Sequence, residues 1–250
     1  MLDFLKPPVE AFQDFIVLGG CAVGNFFRSP HYADDIFQQM DSNGDGSLPM
    51  VIMIGFFSGV VMTMQLAQAL QQLGQQNNVG QYISLALIRE LGPVLTAVMV
   101  AGRNASGIAS EIGSMKVTEQ LDAMRALGTD PIQKLVTPRL IAITCMLPLL
   151  TIIADFIGLV GGWLVAYFIL GVPTQRYWSS AWQFVEYKGD IAQGLIKPLV
   201  FAVIIALVGC FYGMRTTGGT QGVGKATTKA VVVASIWIFV FTAMITRLFT

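Results

Sequence analysis

Long apolar segments recur along the chain and predict an all-α integral membrane protein. The segment at 48–70 has no charged residue in 23 positions. An α-helix of that length is about 35 Å long, which is enough to cross a bilayer. Four further segments are comparably apolar, although several contain an ionisable residue. They lie at 82–101, 140–170, 191–212 and 230–249. The pattern therefore predicts five transmembrane helices.

The third segment requires a choice between one helix and a hairpin of two. It has 31 residues and contains Pro148 and the Gly161–Gly162 pair. Two crossings and a turn need about 40 residues, so we expect one long helix that is tilted or kinked. Proline bends such a helix without necessarily ending it. Gly158 and Gly162, which are four residues apart, would permit close contact with another helix.

Lysine and arginine are unevenly distributed outside these segments. Ten of them fall in the N-terminal region and in the connections after the second and fourth helices, and three fall in the other connections and at the C-terminal end. Cytoplasmic loops carry the positive excess, so we expect a cytoplasmic N-terminus and a C-terminus on the opposite side. A six-helix arrangement would give the same distribution, and helix length therefore decides the number of crossings.

The first 47 residues form a different region. Residues 15–27 carry no charge but are too few to span a bilayer, and they predict an amphipathic helix lying in the membrane interface. Asp3, Glu10 and the Pro7–Pro8 pair argue against a cleaved signal peptide. We expect the remainder of this region to be an acidic cytoplasmic linker, followed by a membrane domain over 48–250.

Composition and charge agree with a membrane location. Of 250 residues, 54% are apolar and 12% are charged, with 15 lysines and arginines against 15 acidic residues. The charge content is about half that of soluble domains, and there is no basic excess for binding nucleic acid. The three cysteines, Cys21, Cys145 and Cys210, lie in apolar stretches and are interpreted as packing residues. His31 stands alone in a polar loop and is expected to be solvated.

Two motifs resemble nucleotide or metal sites but are incomplete. Residues 41–46 (DSNGDG) match the start of an EF-hand loop, but the twelfth position is Ile52 instead of glutamate. We expect a turn-forming linker there, with Asp41, Asn43 and Asp45 as weak metal candidates only. Residues 219–225 match part of a phosphate-binding loop, but no strand precedes them and no hydroxyl residue follows Lys225 directly. A flexible glycine-rich loop is the expected structure.

The connection after the second helix contains a short amphipathic pattern. Val117, Leu121, Met124 and Leu127 recur at helical spacing. Thr118 is the expected N-cap, while Gly128 and Pro131 would end the helix. The pattern alone leaves two interpretations open: a helix resting on lipid headgroups, or one that inserts into a groove of a cytoplasmic partner.

Several motifs in order resemble the MlaE (YrbE) family, the permease subunits of ABC transporters that work with mammalian-cell-entry (MCE) proteins. The resemblance covers about residues 48–250. It is carried by residues 89–103 (RELGPVLTAVMVAGR), 111–124 (EIGSMKVTEQLDAM), 128–131 (GTDP), 138–139 (PR) and 222–232 (GVGKATTKAVV).

The resemblance implies a homodimer in the bacterial inner membrane that moves phospholipids or similar amphiphiles and maintains the lipid asymmetry of the outer membrane. It implies a cytoplasmic ATPase that uses ATP and Mg²⁺, a hexameric periplasmic MCE protein and often a STAS-domain regulator. This subunit itself would bind no cofactor and catalyse no reaction. The amphipathic helix, at about 115–128, would be the coupling helix. The residues implied in contact with the ATPase are Glu111, Met115, Val117, Glu119, Leu121, Asp122, Met124 and Arg125.

Apart from Arg247 near the end of the last segment, four charged residues lie inside predicted membrane helices, where charge is costly and often functional. Arg89 and Glu90 in the second helix and Lys197 in the fourth are expected at similar depth, and Asp155 lies in the middle of the third. They are the candidate cargo-binding residues, in a cavity whose apolar walls would hold lipid tails. A purely structural pair of Glu90 with Lys197 or Arg89 is the alternative. A different class of function also stays open: an ion-coupled secondary transporter that uses Glu90, Asp155 and Lys197 as a relay.

Overall fold

A computed structural model describes residues 6–25, 32–183 and 185–249. Within these residues the regular structure is entirely helical. The α-helices are α1 (Lys6–Asn25), α2 (Ala33–Gly44), α3 (Leu48–Gln72), α4 (Val79–Ala86), α5 (Gly92–Val100), α6 (Ser106–Val117), α7 (Gln120–Ala126), α8 (Thr137–Phe168), α9 (Thr174–Gln183), α10 (Ala192–Met214) and α11 (Gly219–Phe249). Four π-helical segments join some of them: Leu87–Leu91, Ala101–Ala105, Ile132–Val136 and Tyr187–Ile191.

The described chain contains five helical stretches long and apolar enough to cross a membrane, as predicted. They are Ala33–Gln72, Gln76–Val117, Ile132–Phe168, Lys188–Met214 and Gly219–Phe249. The third is one continuous helix through Pro148, which confirms the choice against a hairpin. An N-terminal helix, α1, precedes the five, and its interfacial position stays a prediction. Residues 26 and 27 of that predicted helix, and His31, lie outside the described residues.

The chain divides into two compact units. The first comprises 1–43, 101–145 and 202–237. In its described part, α1 packs on α10, where the rings of Phe15 and Phe211 meet edge to face with centroids 5.5 Å apart. Further along α1, the Ala22 carbonyl accepts a hydrogen bond from the Thr137 hydroxyl at 3.3 Å. These contacts fix α1 against helices of its own unit.

The second unit comprises 44–100, 146–201 and 238–250. Its α3 and α8 approach with backbone in contact, because Gly59 on α3 lies directly against the Gly158 carbonyl on α8. One turn further along, Gly162 on α8 lies against the Thr63 hydroxyl on α3. The close contact expected from Gly158 and Gly162 is therefore present.

A buried apolar core beside this contact includes Ile83, Leu87 and Leu159, with Tyr177 of α9 fully enclosed. The Tyr177 hydroxyl donates a hydrogen bond to the Leu159 carbonyl at 3.0 Å. Burial raises the pKa of this phenol well above its usual value. The sequence analysis did not identify α9, which lies in the connection between the third and fourth membrane helices and anchors that connection to the core.

Some local expectations were wrong. The turn-forming linker predicted at 41–46 is helical at its start, because Asp41 and Asn43 lie inside α2 and the turn begins only at Asp45. The glycine-rich residues after Gly219 begin α11 instead of forming a loop. Cys21 and Cys145 are exposed, and of the three cysteines only Cys210 is buried. For residues 41–44 and for the residues after Gly219, helical context overrides the local preference for a turn or loop.

Candidate functional site

Two π-helical segments of the second unit bring opposite charges together. Arg89 lies in Leu87–Leu91 and Asp190 in Tyr187–Ile191, and the Arg89 Nε to Asp190 Oδ1 distance is 2.5 Å. The Asp190 side chain is buried, and its second oxygen accepts the backbone N–H of Glu186 at 2.9 Å. Insertions of this kind into α-helices are frequent at functional sites. Sequence reasoning missed Asp190, although it directly precedes the apolar segment 191–212.

Lys197 is the second cation of this cluster and has no solvent exposure. Its Nζ lies 2.7 Å from Glu90 Oε1 and 2.5 Å from the Arg89 carbonyl oxygen. That carbonyl lacks its usual helical donor because the residue four positions later is Pro93, which has no N–H. Glu90 Oε1 also accepts a hydrogen bond from the Thr246 hydroxyl at 2.6 Å. The Glu90–Lys197 pair, which was the alternative to cargo binding in the sequence analysis, is therefore formed, while Arg89 pairs with Asp190.

Side-chain exposure separates the members of this charged cluster, Arg89, Glu90, Asp190 and Lys197. The Arg89 side chain is 45% exposed and that of Glu90 is 38% exposed, whereas Lys197 and Asp190 are at 0% and 1%. The half-exposed members can meet a ligand directly. The buried members hold them in place.

Asp155 lies apart from these pairs, on the face of α8 that also carries Ile152, Phe156 and Leu159. This face lines a cavity of about 310 Å³. The Asp155 Oδ1 atom is buried, accepts no hydrogen bond and lies against Gly92. Within the described residues no basic side chain pairs with it, so the structure does not bring Asp155 into the charged cluster.

The predicted coupling helix is shorter and begins later than expected. Val117 ends α6, Thr118 closes that helix, and Glu119 adopts a left-handed backbone with φ of 61° before α7 begins at Gln120. Thr118 as N-cap was therefore wrong. The predicted end is correct, because Gly128 has φ of 78° and the Thr129 N–H donates to the Met124 carbonyl at 3.0 Å.

A small ion-pair network holds the turn between α6 and α7. Asp122 Oδ2 lies 3.0 Å from Lys116 Nζ, and its Oδ1 lies 2.8 Å from an Arg125 nitrogen. The hydrogen bond from Lys116, with Arg125 beside it, lowers the pKa of Asp122 below its usual value. Its contribution to the turn is therefore present at neutral pH and is lost as the pH falls through this lowered pKa.

The residues expected in contact with an ATPase differ in accessibility. Leu121 is buried at 1% exposure and cannot contact a partner directly. Met115 and Met124 are partly buried, and the other five are exposed: Glu111, Val117, Glu119, Asp122 and Arg125. Glu111 forms an ion pair with Arg139 at 2.7 Å. Leu127, which was not among the expected contacts, is 83% exposed, so the apolar face predicted from sequence is divided between packing and solvent.

The five apolar helices define a multi-pass helical membrane protein. A family model described as Permease MlaE matches residues 36–248. A probable ABC transporter permease protein of Rickettsia prowazekii is 41% identical over 235 residues, which are 94% of this chain and 90% of the relative.

Two further relatives extend the comparison. A probable ABC transporter permease protein of Synechocystis is 44% identical over 203 residues, covering 81% of this chain and 77% of its own length. The intermembrane phospholipid transport system permease protein MlaE of Haemophilus influenzae is 36% identical over 213 residues, covering 84% and 82%. The chain belongs to the MlaE permease family.

Proposed function

We propose that the chain is the permease subunit of an ABC transporter that moves phospholipids or similar amphiphiles between the bacterial inner membrane and a periplasmic MCE protein. The observation that carries this proposal is the family match over 36–248, supported by relatives named as ABC transporter permeases. One relative is named for intermembrane phospholipid transport. The family assignment favours this function over an ion-coupled secondary transporter, because an ABC transporter is driven by an ATPase and a secondary transporter is driven by an ion gradient.

The proposal includes the partners of this subunit. The subunit works as a homodimer with its N-terminus in the cytoplasm and its C-terminus in the periplasm. Each copy binds one cytoplasmic ATPase, and the dimer meets a hexameric MCE protein on the periplasmic side. A STAS-domain regulator binds the ATPase. ATP and Mg²⁺ belong to the ATPase, and this chain supplies a path through the membrane and different affinities for cargo in two states.

The charged cluster is the proposed place where a lipid headgroup binds. Arg89 and Glu90 are half-exposed and carry opposite charges, so they suit a phosphate and a positively charged or hydrogen-bonding group respectively. Lys197 and Asp190 are buried, and we assign them the positioning of Glu90 and Arg89. Lys197 is therefore removed from the residues that touch cargo.

Helix α7 is the proposed contact with the ATPase. The ion pair of Lys116 with Asp122 ties α7 to the end of α6, and Arg125 contacts Asp122 within α7. We expect a push on α7 to pass to the membrane helix as a rigid-body movement. The exposed Leu127 supplies an apolar side chain for a groove in the partner.

We expect Leu127→Asp to abolish binding of the ATPase, because a carboxylate would replace the most exposed apolar side chain beside α7. Leu73→Asp is the matched control, since Leu73 is 71% exposed and follows α3, on the side predicted to be periplasmic. Co-purification from membranes, measured by the ATPase-to-permease ratio, checks both variants. Retention of the ATPase by Leu127→Asp, or its loss from Leu73→Asp as well, would contradict the proposed contact.

Purification of the complex from its native membrane tests the function as a whole. Mass spectrometry should identify an ATPase and an MCE protein in fixed ratio to the permease, together with bound phospholipid. Purified material with neither an ATPase nor a lipid would refute the assignment.

A further inference from the structure

A cavity of the second unit carries a group that the charged cluster does not use. It has a volume of about 310 Å³, and its walls are almost entirely apolar. Helix α8 contributes Ile152, Phe156 and Leu159 from one face, and α9 contributes the indole of Trp182. Asp155 is the only ionisable residue in the lining.

One oxygen of the Asp155 carboxyl group has no hydrogen-bond partner within the described residues. Its Oδ1 accepts no hydrogen bond and is packed against Gly92. The basic residues on the elements that line this cavity include Arg89, Lys188 and Lys197. Arg89 pairs with Asp190 and Lys197 with Glu90, and within the described residues no ion pair joins Lys188 to Asp155. A buried polar group without a partner is costly, so a donor supplied by a ligand would stabilise this oxygen.

We infer that this cavity binds the ammonium group of an amine-bearing amphiphile, with Asp155 as the counter-ion and the rings of Phe156 and Trp182 as part of its wall. A carboxylate together with aromatic rings is suited to an organic cation. One part of this inference, that the bound amphiphile is cargo, rests on the proposed function. Binding to the cavity is measurable without the ATPase.

The properties of the cavity argue against other ligands. A metal ion would need about six oxygen ligands, whereas the cavity offers one carboxylate among apolar walls. A phosphate or fatty acid would be repelled by the carboxylate. The volume lies at the lower end of ligand pockets, so it holds a headgroup amine and a few carbon atoms, with the remaining chain outside.

Calorimetric titration of the purified full chain in nanodiscs tests the inference. Dodecylammonium is the probe, and dodecanol is the neutral probe of the same chain length. We expect Asp155→Asn to weaken dodecylammonium binding about tenfold or more and to leave dodecanol unchanged. Asp34→Asn, which removes an exposed carboxylate of α2, is the matched control and should have no effect. Equal affinity of Asp155→Asn and the unaltered protein, or equal affinity for both probes, would overturn the inference.

A second variant keeps the test valid if Asp155→Asn does not fold. Trp182 is 52% exposed, so Trp182→Leu is expected to fold, and it should weaken binding of dodecyltrimethylammonium several-fold through the loss of a cation–π partner. Unchanged binding by this variant would remove the aromatic wall from the site and overturn that part of the inference.

Lipid retention distinguishes the two sources of the amine. Nanodiscs with equal phosphatidylethanolamine and phosphatidylglycerol should yield protein enriched in the former, with the enrichment lost in Asp155→Asn. That result identifies a lipid headgroup. Asp155-dependent dodecylammonium binding without such enrichment identifies a free amphiphilic amine, and it overturns the cargo role while the ATPase and MCE partners of the proposed function are unaffected.

Discussion

Replacement of Lys197 by methionine is expected to destabilise the protein by about 3 kcal/mol or more. Methionine has a similar length but no charge, so the carboxylate of Glu90 and the carbonyl of Arg89 both lose the Nζ donor. Pro93, four residues after Arg89, supplies no N–H to that carbonyl. Because the Glu90 side chain is 38% exposed, hydration of its carboxylate replaces part of the interaction energy that is lost with Lys197. Thermal unfolding in detergent micelles measures the change.

Two comparisons separate this effect from a general loss of charge. Lys188→Met removes an exposed lysine near the same end of the fourth membrane helix and should change stability by less than about 0.5 kcal/mol. Combining Lys197→Met with Glu90→Gln should cost less than the sum of the single changes, because the uncompensated carboxylate is gone. Equal stability of Lys197→Met and Lys188→Met would show that the buried pair contributes nothing.

Gly59→Ala is the second change with a large expected effect. A Cβ atom at this position would occupy the space of the Gly158 carbonyl group. A flexible side chain could change its rotamer to avoid this clash, but a backbone carbonyl in a helix cannot. Helices α3 and α8 would have to separate along the whole contact that Gly55, Gly59 and Thr63 make. We expect a loss of about 3 kcal/mol, at the upper end of overpacking effects, measured as a lower midpoint of thermal unfolding.

Gly20→Ala is the matched control for this substitution. Gly20 lies inside α1, and a Cβ atom there would meet nothing within 4 Å. Alanine favours a helix over glycine by about 1 kcal/mol, so this variant should be as stable as the unaltered protein or more so. If Gly59→Ala were equally well tolerated, the backbone contact between α3 and α8 would not exist in the folded protein.

The five membrane helices could be predicted from sequence because their signal is local. A run of apolar residues long enough to cross a bilayer can be recognised from its own residues. The helix at 48–70 is therefore predicted without information from elsewhere in the chain. The continuous helix through Pro148 followed from length alone. The glycine contact was visible as Gly158 and Gly162, although the sequence did not indicate that α3 is their partner.

The partners of the buried charges could only be predicted in part. Glu90 and Lys197 were placed at similar depth from their positions in predicted helices, which is sufficient for a pair. The pairing of Arg89 with Asp190 depends on two π-helical segments, and a single inserted residue in each changes which side chains face one another. No pattern of apolar spacing signals such an insertion.

The start of the short helix α7 could not be predicted from the spacing of apolar residues. Spacing placed Val117, Leu121, Met124 and Leu127 on one face, but Glu119 takes a left-handed backbone and separates Val117 from the rest. A residue with a β-carbon in this conformation costs roughly 1 kcal/mol, so sequence preference argues against the turn that is formed. The network of Asp122 with Lys116 and Arg125 stabilises it.

Reconstitution of the permease in proteoliposomes with the proposed ATPase and MCE protein tests ATP-driven lipid transfer. Transfer of a labelled phospholipid between the bilayer and the MCE protein is followed with and without ATP. We expect transfer that requires ATP and is lost in Leu127→Asp. Transfer that proceeds equally without ATP, or that follows an imposed ion gradient instead, would contradict it.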